Sequence, residues 1–172
     1  MSGKTVYWNQ AEVAPLVLVT GNESYLASRA IATLKARLRE EHPDLEVTDV
    51  AEGEYSPGLL FTVAAPSLFA EPRLVIINSA SEGLLEDLTQ LVAEPVENCT
   101  VVVRLPNAVG HNGKVKTALG PKSLVVLCEE LKKDAEKADF VKSELQALGK
   151  KIDAARSEER RVGKECLRLC RS

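Results

Sequence analysis

Four stretches of aliphatic residues constrain this chain before any other feature does. They are Leu16-Val17-Leu18-Val19, Arg73-Leu74-Val75-Ile76-Ile77, Cys99 to Leu105 and Ser123 to Cys128. Runs of this kind, rich in β-branched residues and lacking polar alternation, belong to strands covered on both faces, as in parallel sheets. A fifth run, Leu45-Glu46-Val47-Thr48-Asp49-Val50, alternates and reads as a half-exposed strand at a sheet edge. Between the runs lie helical patterns. Asn22 is placed to cap a helix whose first turn carries Glu23, and Leu26, Ala27, Ala30, Ile31, Leu34 and Leu38 form its apolar stripe. That helix should stop near His42, because the residue before Pro43 is pushed out of helical geometry. Residues 57–65, 82–93, 114–119 and 135–148 are further helix candidates, the last closed by Gly149. Strands alternating with helices predict an α/β fold: a five-stranded parallel sheet with right-handed crossovers, flanked by helices.

Aromatics make up only 4% of the 172 residues, so the core must be aliphatic. With 45% hydrophobic residues and a net charge of −3, general disorder is excluded. No apolar stretch approaches the ~20 residues of a membrane span, and no apolar segment follows Lys4 to make a secretion signal. The expected address is cytoplasmic, with Cys99 and Cys128 as buried thiols in a reducing compartment. Residues 156–172 differ from the rest: they hold 6 basic and 3 acidic residues, leaving 16 basic against 22 acidic in 1–155. The run RSEERRVGKEC from Arg156 to Cys166 resembles a translated sequencing adapter and is expected to be an artefactual tail. Cys166 and Cys170 within it have neither a second cysteine pair nor histidines to complete a zinc site.

In open α/β sheets ligands bind beyond the carboxyl ends of the strands, so the turn after Thr20 is the place for a phosphate cradle. A phosphate-binding loop needs two glycines five places apart, then Lys and Ser or Thr. Counting from Gly21 puts Leu26 at the second glycine, Ala27 at the lysine and Ser28 at the hydroxyl, while Glu23 adds a negative charge. The nucleotide site is degenerate. The third run ends Ile77-Asn78-Ser79, with no carboxylate to hold magnesium. A second glycine-lysine segment, Asn112 to Thr117, also departs from the pattern and reads as a turn opening a basic helix. His42 and His111 sit in polar surroundings as surface residues, and Glu129-Glu130 are adjacent at a strand end, pointing to opposite faces. No catalytic residue, cofactor-binding residue or metal ligand emerges, so no enzyme activity of the chain's own is expected.

One segment demands its own explanation. Pro66-Ser67-Leu68-Phe69-Ala70-Glu71-Pro72 sets two large apolar side chains between prolines that stiffen the loop. Leu68 and Phe69 either turn inward to cap the core or stand outward as an anchor for another protein's pocket.

Three stretches, PLVLVTGNESYLASRA (15–30), PSLFAEPRLVII (66–77) and VVVRLPNAVGHNGKVKTAL (101–119), together with ELKKDAEKADFVKSELQALGKKID (130–153), resemble the N-terminal part of the delta subunit of the bacterial DNA polymerase III clamp loader. The resemblance implies an AAA+-like domain over 1–130 that binds no ATP, and a truncated helical lid beginning at 131–155. It implies that Leu68 and Phe69 are the wedge that enters a pocket of the sliding clamp, the beta subunit. The implied role is to bind and open the clamp for loading onto primed DNA, within a complex that has DNA-directed DNA polymerase activity. The other loader subunits would be partners through a collar that should be missing here, and DNA would be an indirect one. Two rival expectations stand beside it: a degenerate AAA+ ATP-binding protein, and a DNA-binding module built on Arg104, Lys114, Lys116 and Lys122.

Overall fold

The computed structural model describes residues 3–65, 71–107, 109–131 and 134–147. Leu68 and Phe69, and the tail 156–172 with Cys166 and Cys170, lie outside the described residues. The strands are β1 (Lys4–Tyr7), β2 (Leu16–Thr20), β3 (Glu46–Val50), β4 (Arg73–Asn78), β5 (Cys99–Leu105) and β6 (Leu124–Leu127). The helices are α1 (Ser24–Glu41), α2 (Leu59–Ala64), α3 (Leu84–Ala93), α4 (Gly110–Leu119) and α5 (Asp134–Ala147). The chain divides after Glu130, and α5 belongs to the second part.

Residues 1–130 hold a parallel sheet in the order β1-β6-β2-β5-β4-β3. The α/β reading holds, with a sixth strand where five were expected. The addition is β1, whose four residues Lys4 to Tyr7 pair in register with Leu124 to Leu127. Four residues with only Val6 buried give almost no local signal; the strand exists because β6 offers it a ladder. The alternating run is an edge strand as read, with Glu46 and Asp49 exposed on β3.

Every residue of β2 is buried, which is what two covered faces require. Alternate residues divide between those faces. Leu16 and Leu18, Val75 and Ile77, and Val101, Val103 and Leu105 join Leu60, Leu84, Leu88, Val115 and Leu119 in the core shared with α2, α3 and α4. Val17, Val19, Leu74, Ile76 and Val102 turn the other way, towards the face where α1 packs on β2 with Leu26, Ala27, Ala30, Leu34 and Leu38 buried.

Among the boundaries that differ from the sequence reading, two bear on the candidate site. Asn22 is not the cap of α1; Glu23 occupies that position without a side-chain capping bond, so no acidic residue lies inside the first turn. And α4 begins at Gly110, four residues before the expected start at Lys114, since Asn112 is drawn into the interior.

A buried polar joint ties the connection after β3 to α3. The Tyr55 hydroxyl donates to Asp87 Oδ2 at 2.5 Å, and the Gly58 amide donates to the same oxygen at 2.7 Å. Asp87 also lies in the first turn of α3, where a negative charge suits the helix dipole. Burial and the Asp87 carboxylate together push the Tyr55 hydroxyl far above its ordinary value. Asp87→Ala would strand two donors at about 1–3 kcal/mol each. A urea titration should show that loss, and a smaller one for Tyr55→Phe, which removes the hydroxyl but leaves the Gly58 bond.

Candidate functional site

The carboxyl ends of the strands, where this architecture normally holds a ligand, are closed by the chain's own backbone. Only Gly21, Asn22 and Glu23 separate β2 from α1. Gly21 adopts φ +135°, a region open to glycine alone, and a Cβ there would lie 2.0 Å from the Cys128 carbonyl oxygen. The turn is stitched to its neighbours: the Gly21 amide donates to Leu105 O at 3.3 Å, the Glu23 amide to Cys128 O at 3.2 Å and the Cys128 amide to Thr20 O at 2.7 Å. Two amides of the turn that could otherwise face a phosphate, those of Gly21 and Glu23, are therefore already committed.

Side chains close the site further. Leu26 and Ala27, which stand where a glycine and a lysine would be required, are 4% and 2% exposed and belong to the core stripe. The surviving hydroxyl, Ser28 Oγ, donates back to Ser24 O at 3.0 Å within the helix. Arg104 Nη2 donates to Ser24 Oγ at 2.7 Å, fixing the end of β5 to the start of α1. At the end of β4, Asn78 Nδ2 donates to Asp49 Oδ1 at 2.5 Å and to Val50 O at 3.3 Å, which occupies the nearest carboxylate. These residues do not fit a nucleotide phosphate or its magnesium ion.

Ser79 follows with φ +84°, held by its amide to Arg104 O and by the neighbouring Ala80 amide to Asn112 Oδ1 at 2.7 Å. Asn112 in turn donates to Asn107 Oδ1 at 3.0 Å, and it is 6% exposed. The second glycine-lysine segment is thus the interior of α4, where Asn112 braces two loops, rather than a turn opening a helix. Periodicity could not reveal this, because an asparagine contributes nothing to an apolar stripe.

His42, His111, Glu129 and Glu130 are exposed, the two glutamates beyond the end of β6. Of the four basic candidates, Arg104 is half-buried and engaged with Ser24, Lys116 is half-buried on α4, and Lys114 and Lys122 are exposed. Cys99 is half-buried and Cys128 fully so. Burial pushes the Cys128 thiol from 9.0 up to about 12, against a smaller opposing pull from Arg104. The folded chain therefore keeps a proton that the unfolded chain gives up. Cys128 stabilises fully below pH 9.0, and that contribution is lost as the pH rises towards about 12. Alkaline unfolding monitored by circular dichroism should be shallower over this window in Cys128→Ala than in the parent chain.

The amino ends of the strands carry the connection from α2 to β4, which includes the proline-bounded segment. Its described ends are Ala65, after α2, and Glu71 and Pro72, before β4. The Glu46 amide donates to Pro72 O at 3.0 Å, and the Arg73 amide donates to Asn98 O at 2.8 Å. The Arg73 guanidinium reaches back across the connection, donating through Nη1 to Val63 O at 3.3 Å and to Ala65 O. An open groove of about 380 Å³ runs beside it, with Pro15, Leu38, Leu45, Pro72, Val96 and Cys99 in its walls.

This body has a solved counterpart. The DNA clamp loader delta protein of Bacillus subtilis (YqeN) superposes with a TM-score of 0.53 at 20% identity, over 85% of this chain and 47% of that one. The fold is clamp-loader-like. The chain spans about half the length of that delta protein. No family model and no curated protein sequence matches it. Among the described residues, no helix is long and apolar enough to cross a membrane, and no cluster of three His, Cys, Asp or Glu is arranged to hold a metal ion.

Proposed function

We propose that this chain acts as a non-catalytic clamp-loader subunit of the delta type, binding a sliding clamp and favouring its open form for loading onto primed DNA. The observation that carries the reading is the fold shared with a clamp loader delta protein across 85% of the chain. The order and spacing of the delta-like stretches in the sequence support it. So does the closed turn at Gly21, which suits a subunit that works by contact rather than by hydrolysis.

Leu68 and Phe69 are the clamp-binding pair in this reading. The described ends of their segment lie towards the amino ends of the strands, remote from Gly21 at the carboxyl ends, because every strand runs parallel. Opening follows from differential affinity: a protein that binds the open ring more tightly than the closed one shifts the ring towards opening. The partners are then the clamp, the other loader subunits and, through them, DNA, with the setting cytoplasmic. Residues 1–130 form the AAA+-like clamp-binding domain and α5 opens the lid.

A pull-down of a bacterial sliding clamp by the parent chain and by Leu68→Ala/Phe69→Ala tests the assignment. Clamp capture by the parent and its loss in the double variant are expected; equal capture by both removes the wedge. Labelled ATP at millimolar concentration should show no saturable binding, and saturation would favour the degenerate ATP-binding alternative instead.

A further inference from the structure

The residue that organises the α2–β4 connection is Arg73. Helix α2 has six residues, no basic side chain in its last turn and carbonyls at its end without partners in the helix. Arg73 supplies what is missing from across the connection: one nitrogen, Nη1, donates to both Val63 O and Ala65 O. A cation at a helix carboxyl end is also favoured by the dipole. The same guanidinium lies against β3, with Nε 3.0 Å from Glu46 Oε2, an ion pair too oblique to be a hydrogen bond. Its side chain is 21% exposed, so solvent does little to screen these contacts. The backbone of Arg73 is fixed as well, opposite Glu46 on one side and Cys99 on the other.

The chain therefore leaves α2 and enters β4 at two points held by a single side chain. Restricting the ends of a connection reduces the freedom it must lose when it binds, which is how preorganisation raises affinity. We infer that Arg73 is a positioning residue for clamp binding: by joining the last carbonyls of α2 to the first residue of β4, it fixes both ends of the segment that carries Leu68 and Phe69. This rests on the reading of that pair as the clamp contact.

Two measurements on the full chain separate the inference from that reading. The first is chymotryptic cleavage under native conditions at low temperature, scored after Leu68 and Phe69, with Tyr25 and Tyr55, which lie outside α2, as reference sites that report general unfolding. The second is affinity for a bacterial sliding clamp. Arg73→Ala should be cleaved at least fivefold faster at 68–69 with no rise at the reference sites, and should bind the clamp at least tenfold more weakly while its circular dichroism matches the parent. Arg73→Lys, which keeps the charge but not the planar fork, should recover part of both losses. Glu46→Gln leaves the carbonyl contacts and should stay within threefold of the parent. If Arg73→Ala does not fold, Arg73→Gln takes its place in both measurements. Unchanged cleavage at 68–69 overturns the positioning role whatever the clamp data show. Faster cleavage with parental affinity overturns it for binding. A parent chain that binds no clamp, or a Leu68→Ala/Phe69→Ala chain that binds as well as the parent, sinks the wedge reading, while the cleavage comparison still reports on Arg73.

Discussion

Truncating Leu68 and Phe69 together to alanine is expected to weaken clamp binding by about 10²–10⁴-fold. Each side chain, if fully buried in a partner, contributes about 1.5–3 kcal/mol, so the pair is worth roughly 3–6 kcal/mol. At 1.4 kcal/mol per decade that is the stated loss in Kd. Interface energy concentrates in a few anchors, and the single truncations should therefore already be visible, with Phe69→Ala the larger because of its greater area. The loss should appear mainly as faster dissociation in a surface-binding measurement, since neither residue carries charge to steer the encounter. Thermal stability should change little. A double variant that binds normally, or one whose melting temperature falls in step with its affinity, would mean that the two side chains serve the chain's own interior.

Gly21→Ala is expected to be the most damaging single methyl group that can be added to this fold. The new Cβ would lie 2.0 Å from the Cys128 carbonyl oxygen and 2.4 Å from its carbon, both backbone atoms of a strand end that cannot step aside. The φ of +135° adds strain that any side chain would suffer. A loss above about 4 kcal/mol is reserved for mechanisms of this severity. Against a total stability of about 5–15 kcal/mol, it should leave the chain largely unfolded at 37 °C. Urea unfolding of Gly21→Ala beside Gly53→Ala provides the control, because Gly53 also has positive φ (+85°) but no atom within 4 Å of its added Cβ. Similar losses at both positions would show that strain, not the Cys128 contact, sets the cost.

The sequence shows much of the fold and one of the two sheet edges. Val101-Val102-Val103 and Leu16 to Val19 announce buried parallel strands because two covered faces leave no room for polar alternation, and the core confirms them at 0–4% exposure. Glu46 and Asp49 mark the edge for the converse reason. What stays hidden are features whose cause lies far along the chain. Lys4 to Tyr7 become a strand only because Leu124 to Leu127 are there to pair with. Asn112 enters the interior to satisfy the Ala80 amide, 32 positions away, and draws α4 back to Gly110 with it. At the candidate site, the missing lysine and glycine at Ala27 and Leu26 are plain in the residue order. The backbone plug formed by Cys128 is not, since it joins turns 107 positions apart. Arg73 looks like nothing more than the polar leader of an apolar strand; its reach to Val63 and Ala65 depends on how α2 is set against β4.

A parallel sheet also has a mechanical grain. The turn at Gly21 and the connection ahead of Arg73 lie at opposite ends of the strands, and β4, with six residues of about 3.3 Å each, puts some 20 Å between those ends. Tension applied from one end to the other runs along the strand axes. It loads the ladders β2·β5 and β4·β5 in shear, so that their hydrogen bonds must yield together rather than unzip one at a time. A domain with this grain is stiff along its strands and yields more readily across them.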